Sequence, residues 1–382
     1  MWRFIPFAFK NSMRNRRRTL LTILSISVSL FLLAMLMTVY IAFYHREAAP
    51  EQALRLATRH RVSLTFPLPE YYLARISQLP GVKHAYSASW YGGVYIDRKP
   101  LHNFPRFAVD PDGVFLVRPE LQAPPDQLAA FQRERTAAAV GRTIADQLGF
   151  RLGQKITLQG DIYPGNLELT IRAIFEGEND GVMFFHRVYL QEGQPRGRQG
   201  WIGMVWSLAE SPEAVPRLAA AIDEMFRNSP QQTKTESERG FYLSFLGMLG
   251  DVKLILVSIS TAVTFAILLV AANTMAMSVR ERIREVGVLK TLGFTTGTVL
   301  TMIVAEAAII GLIGGLLGSL MAMGMSAAIG KMPLMFGADL RMRPAALLIT
   351  LGVGCLIGVA SSLAPALGAS RMRITDALRH AG

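Results

Sequence analysis

The sequence predicts an integral membrane α-helical fold of four transmembrane helices, one followed by three, with a mixed α/β extracytoplasmic domain between the first and second. Three observations predict it. Half of the residues are apolar, and they gather in runs: Thr19–Tyr44, Leu254–Val279, Thr298–Gly330 and Pro344–Ser370 each exceed the ~20 residues that cross a ~30 Å hydrocarbon layer. The basic residues cluster beside those runs, with Arg14, Arg16, Arg17 and Arg18 before the first, Arg280, Arg282, Arg284 and Lys290 between the second and third, and Arg371, Arg373 and Arg379 after the fourth. Between the first two runs the chain changes to short alternating and amphipathic segments broken by Pro-Gly turns.

The net charge of +12 is therefore topological. Four crossings put all three basic clusters on one side, which the positive-inside rule assigns to the cytoplasm, so both termini are expected to be cytoplasmic. Lys331, Arg341 and Arg343 fall on the other side as a modest exception. No basic patch interleaved with aromatic residues marks a nucleic-acid surface.

Residues 1–18 open with Trp2, Ile5, Phe9 and Met13 on one helical face, followed by the arginine cluster, and read as a cytoplasmic interfacial helix on anionic lipid. The first span, 19–44, is too long for the apolar core of a cleaved signal. Residues 45–250 form the extracytoplasmic domain with its stalk. There, Leu73–Val82 reads as a helix end, a Pro-Gly turn and a strand start, Ala139–Gly149 as a short helix, and Pro212–Phe226 as an amphipathic helix. Lys155–Gln159, Leu167–Phe175 and Trp201–Trp206 read as strands. In the second of these, Leu167, Leu169, Ile171, Ala173 and Phe175 alternate, as for a sheet with one buried face. Thr235–Asp251 is expected to extend the second span outward as a helical stalk, against the helix-weakening Gly240, Gly247 and Gly250. The lone Cys355 lies in a span, so this domain must be held by an ordinary core without disulfides.

The second span, 251–279, runs into a charged segment, 280–297, on which the rest is organised. Val279, Ile283, Val286 and Leu289 share one face of a short helix, with Gly293 placed just past its end. The candidate coupling residues are Arg280, Glu281, Arg282, Ile283, Arg284, Glu285, Val286, Gly287, Val288, Leu289 and Lys290. A solvated loop satisfying positive-inside needs arginine alone; the apolar face and the two glutamates point to docking against a soluble partner.

The third span, 298–330, carries Gly311, Gly314, Gly315 and Gly318, and the fourth, 344–370, carries Gly354 and Gly358. Small residues four apart let helix backbones approach in lipid, so these six are candidate packing positions. Glu306 is the one acidic residue inside a span, roughly 12 Å along the helix from Thr298. A hydrogen bond to a neighbouring helix through Ser or Thr explains it better than a proton or substrate site, because one carboxylate makes no relay. A loop, 331–343, joins the last two spans, and a cytoplasmic tail, 371–382, ends the chain.

Enzyme signatures are absent: no G-x-x-x-x-G-K-[ST] phosphate loop, no H-E-x-x-H and no G-x-S-x-G turn. The six histidines are not spaced as metal ligands, so no catalytic residue, metal or cofactor is assigned to this chain.

Asn273-Thr-Met, the run Glu281-Arg-Ile-Arg-Glu-Val-Gly-Val-Leu-Lys290, Leu292-Gly293 and Glu306-Ala resemble the MacB/FtsX-type family of ABC transporter permeases. Pro365, Ala369-Ser-Arg371 and Asp376-Ala-Leu-Arg379 are similar to that family's C-terminal signature, and Leu79-Pro-Gly-Val82 with Ala139–Gln159 resembles its extracytoplasmic domain more loosely. The resemblance implies a permease dimer, homo- or heteromeric, on cytoplasmic ABC ATPase subunits that bind ATP and Mg in trans, with a periplasmic adaptor left open. It implies that the 280–292 helix sits in a groove of the ATPase; the cargo does not carry over from the family, and the leading reading is export or extraction of a lipoprotein, peptide or hydrophobic compound. The alternative within the fold is an FtsX-like transducer that activates a periplasmic cell-wall hydrolase; a stand-alone receptor without ATPase is the third.

Overall fold

A strand that alternates cleanly should bury one face, and Asn166–Phe175 does so only up to its middle. Leu167, Leu169 and Ile171 enter one core, but Ala173 and Phe175 enter the core on the opposite side of the sheet. The register explains the switch: Ala138 pairs with Ile171, and Ala139 with Ala173, so Arg172 is an extra residue. A one-residue bulge inverts every following side chain. The expected single buried face is thus corrected to two half-faces.

The computed structural model describes residues 16–45, 50–99, 102–177, 180–248, 250–329 and 341–373. The expected interfacial helix, Lys331 and the tail residues 374–382 lie outside them.

The α/β domain is built on a mixed sheet. Its strands are β1 (Arg55–His60), β2 (Leu68–Pro69), β3 (Val82–Trp90), β4 (Arg106–Val109), β5 (Ala137–Gly141), β6 (Lys155–Gln159), β7 (Asn166–Phe175), β8 (Met183–His186), β9 (Trp201–Ile202), β10 (Met204–Ala209) and β11 (Thr233–Ser237). Nine of them run in the order β11-β1-β10-β3-β4-β8-β5-β7-β6, with β2 and β9 paired apart. Only β4–β8 and β5–β7 are parallel. Aromatic cores fill both faces, around Phe131, Phe175 and Trp206 on one side and Tyr91, Phe104 and Phe185 on the other.

Local signals explain most turns. Gly81 at φ 95 and Gly165 at φ 99 adopt the left-handed conformation that their Pro-Gly turns require. Ala139–Gly149 is not one helix: Ala137–Gly141 is a fully buried strand and the helix starts at Arg142. Alanine permits both states, and burial at the sheet centre decides. Trp201–Trp206 likewise divides at Gly203, where a Cβ would meet the Ala88 carbonyl oxygen at 2.8 Å.

Thr235–Asp251 is not a continuous stalk. Thr233–Ser237 is β11, paired to β1; Glu238–Met248 is a helix; and Gly250 at φ 100 stands before the second span. A ring of charge ties this region to the start of the sheet. Arg55, fully buried, donates Nε to Glu238 at 2.6 Å and Nη1 to Glu120 at 2.8 Å, while Arg118 reaches Glu238 at 3.3 Å. Two carboxylates and two guanidinium groups offset the cost of burying each other.

The second unit holds the four apolar helices, Arg16–Tyr44, Val252–Glu281, Thr296–Ile329 and Pro344–Arg371. A multi-pass membrane protein follows from their length and apolarity. Asp251 caps the second by accepting from the Leu254 N–H at 3.0 Å, and Thr295 Oγ1 caps the third through the Thr298 N–H. Ile26, Leu30, Leu33, Ile267, Ala271, Met275, Ala307, Ile310 and Ile357 form their shared core.

The glycines divide between two neighbours. A Cβ on Gly311 would lie 2.2 Å from the Gly354 carbonyl oxygen, and one on Gly358 would lie 2.4 Å from that of Ala307, so the third and fourth spans meet backbone to backbone. Gly314 and Gly318 face the first span instead, at Ile26 and at the Ser27 carbonyl. Gly315 makes only ordinary contact with Thr350 and Leu351. The third span is packed on both sides by this division.

Candidate functional site

The charged segment between the second and third spans folds as a short helix, Ile283–Thr291. Arg280 and Glu281 belong to the second span, whose helix continues to Glu281. Arg282 then leaves helical geometry at φ −105, ψ 10, and turns the chain. No Gly or Pro makes this break.

The Arg282 side chain has its partner across this turn. Its Nη1 donates to both carboxylate oxygens of Glu306, at 2.9 and 2.7 Å, across to the third span. Glu306 therefore pairs with an arginine, not with the expected Ser or Thr. The ends of the pair are mostly covered, at 21% and 15% side-chain exposure, so the charges are little screened and hold each other firmly. Burial in an apolar span would otherwise disfavour the carboxylate.

The other end of the helix is fixed as well. Lys290 Nζ donates to the Met372 carbonyl at 2.7 Å, just past the fourth span. Gly293, at φ 93, closes the helix: its N–H donates to the Lys290 carbonyl and the Phe294 N–H to that of Leu289, both at 3.1 Å. This pair of bonds is a Schellman cap. The short helix is thus pinned at its start to the third span and at its end to the fourth.

The faces follow from these pins. Val279 and Val286 are buried, Gly287 is buried beside them, and Ile283 and Leu289 are half-buried. The apolar stripe seen in sequence rests against this chain's own spans. Arg284, Val288 and Leu292 recur at helical spacing on the other side and are exposed, with Val288 at 46% and Leu292 at 71%; Arg280 and Glu281 are exposed at the end of the preceding helix. Of the eleven residues expected to couple, Arg284 and Val288 lie on this outward stripe, and Arg280 and Glu281 are exposed before the break; Arg282, Val286, Gly287 and Lys290 are turned to the spans or pinned there. Glu285 is half-buried.

The spacing could have placed Arg282, since it stands three residues after Val279 and four before Val286, on the inward face. The Met372 carbonyl carries no signal in sequence, because any residue presents one.

Comparison with known proteins agrees in both halves of the chain. Residues 19–225 match the MacB-like periplasmic core domain and residues 257–374 the FtsX-like permease C-terminal domain. The macrolide export ATP-binding/permease protein MacB of Campylobacter fetus subsp. fetus is 36% identical over 108 residues, 28% of this chain and 16% of that protein. The uncharacterized ABC transporter permease YvrN of Bacillus subtilis is 34% identical over 109 residues, 28% of this chain and 26% of that protein. The matched part thus spans 16% and 26% of these two relatives' length. Among solved structures, the extracellular domain of the noncanonic ABC-type transporter YknZ from Gram-positive bacteria covers 48% of this chain at 12% identity and a TM-score of 0.35. The periplasmic region of MacB from Actinobacillus actinomycetemcomitans covers 50% at 8% identity and a TM-score of 0.37.

Proposed function

This chain belongs to the MacB/FtsX-type family of ABC transporter permeases, and from that premise we propose that it is the non-catalytic membrane subunit through which a separate cytoplasmic ATPase drives the α/β domain on the periplasmic side. The observation that carries the reading is the double pinning of the 283–291 helix by Arg282–Glu306 and by Lys290 on the Met372 carbonyl. A load on the exposed stripe Arg284, Val288 and Leu292 would reach the third and fourth spans directly, since both are attached to the helix that receives it. A movable element needs contacts that differ between two states, and an ion pair between a turn and a span is one that closure of a partner can bias.

In this reading the bacterial inner membrane holds the chain with the 280–292 segment and both termini in the cytoplasm, as a dimer with a second permease. ATP and Mg act on the partner. The cargo is a lipoprotein, peptide or hydrophobic compound.

Isolation of the full chain from native membranes, with identification of bound proteins, tests the reading. An ABC ATPase subunit should co-purify and lose its association when Val288 and Leu292 are both replaced by Asp. Recovery of no nucleotide-binding subunit would support the stand-alone receptor instead, and labelling of residues 280–292 from the periplasm would remove the coupling role altogether.

A further inference from the structure

The α/β domain contains a cavity of about 390 Å3 between the end of β3 and the start of β4, lined by Trp90, Tyr91, Val94, His102, Phe104 and Arg106 among others. Arg106 is 2% exposed, and among the described residues no carboxylate lies within ion-pair distance of it. Its Nη1 donates to the Gly93 carbonyl and its Nη2 to the His102 carbonyl at 3.0 Å, which ties together the two ends of the connecting loop. Its Nε has no acceptor. The Tyr91 hydroxyl, on a side chain 1% exposed, also has no partner.

Buried donors are almost always satisfied, and a buried cation without a counter-ion is costlier still. Burial holds the Arg106 guanidinium down to about 10, which leaves it charged at neutral pH. The two carboxylates at the cavity mouth do not serve it. Asp97 is engaged by His102 Nδ1 at 2.5 Å and by Lys99 at 3.3 Å, and Asp161 faces Arg98 at 3.5 Å.

Beside the charged rim of Asp97, Arg98, His102 and Asp161, the cavity has an apolar, solvent-open wall at Trp90. Trp90 is 45% exposed and Ile162 53%, and they close over Gly92, where a Cβ would lie 2.8 Å from Ile162 Cδ1 and 3.3 Å from the Trp90 ring. On the same loop Ile96 sits at φ 59, a conformation that β-branched residues rarely adopt. Strain of that kind gathers at ligand clamps.

We propose that this cavity binds a carboxylate carried on an apolar body, the carboxylate meeting Arg106 and the Tyr91 hydroxyl and the body lying against Trp90. A single guanidinium edge and one hydroxyl suit a monoanion, and Asp97 and Asp161 at the mouth disfavour a dianion such as phosphate. An aliphatic acid and a peptide carboxyl terminus share this chemistry. The site is independent of the ATPase reading, since it needs no nucleotide and no partner.

The test is titration of the full chain in lipid nanodiscs with octanoate, with N-acetyl-leucyl-phenylalanine and with octanol, followed by tryptophan fluorescence. At least one of the two carboxylates should give a saturable change, and the tighter one identifies the source. Octanol should bind roughly tenfold more weakly or not at all, for loss of the charge-assisted bond. Trp90→Phe should abolish the signal, which separates the site from partition into lipid. Tyr91→Phe removes a hydroxyl that has no partner in the empty site; it should leave thermal stability unchanged and weaken carboxylate binding several-fold. Equal binding of octanol, no response to either carboxylate, or unchanged affinity in Tyr91→Phe would each overturn the proposal.

Discussion

Arg282 and Glu306, 24 residues apart in sequence, are joined by one guanidinium nitrogen that bonds both carboxylate oxygens, at 2.9 and 2.7 Å. The helix of the second span ends beside this arginine, whose side chain reaches away from it to the third. The pair makes an intramembrane carboxylate tolerable without any catalytic role.

Glu306→Leu should lower the stability of the purified chain by roughly 2–3 kcal/mol, because it leaves a mostly covered guanidinium without its acceptor. Arg282→Leu should cost a similar amount. The double variant should recover much of the loss, as two apolar groups replace two paired charges. Thermal unfolding in detergent measures this, and strictly additive losses would show that the two groups do not cooperate.

On the short helix the two faces should separate cleanly. Val286→Asp puts a charge at a position 5% exposed and should damage folding itself, with reduced yield and a lower melting temperature. Leu292→Asp, at a position 71% exposed, should shift stability by less than about 0.5 kcal/mol and act only on association with a soluble partner. Pull-down beside a melting curve distinguishes the two, and a large stability loss in Leu292→Asp would contradict the assignment of faces.

Glycine substitutions offer an internal control. Gly311→Ala and Gly358→Ala should destabilise by roughly 1–3 kcal/mol, because the added carbon would fall on a facing carbonyl at 2.2 and 2.4 Å. Gly324→Ala and Gly352→Ala meet nothing within 4 Å and should be neutral or slightly stabilising. Equal effects at all four would mean that close approach of the third and fourth spans is not what the glycines provide.

Acid should loosen the loop that carries Asp97. The hydrogen bond from His102, then that from the Lys99 N–H, hold its carboxyl down to about 2, below the ordinary value of 3.8. A group depressed on folding contributes stability above its unfolded value and loses it as pH falls through the folded one, so the window is about pH 4 to 2. Protection of the Lys99 amide, taken relative to its intrinsic exchange rate at each pH, should fall across that window in the native chain and be already low, and constant with pH, in Asp97→Asn.

The strand pair Lys155–Gln159 and Asn166–Phe175 and the Gly165 turn were legible because alternation and a Pro-Gly dipeptide are local signals. The bulge at Arg172 was not, since the alternation continues unbroken through it and only pairing with β5 reveals the extra residue. Thr235–Asp251 misled for a similar reason: β11 exists through its ladder with β1, which helix propensity does not register.

At the site, composition announced a short amphipathic helix ended by Gly293, and the chain alone fixed that much. Four spans, their order and the charges beside them are also properties of consecutive residues, because the length and apolarity of a segment decide whether it can cross a membrane. Which face of the short helix turns outward, which span each glycine meets and which group answers Glu306 were decided only by the folded chain. Those outcomes depend on distances between residues far apart in sequence, and a local pattern can name a face without naming what lies against it.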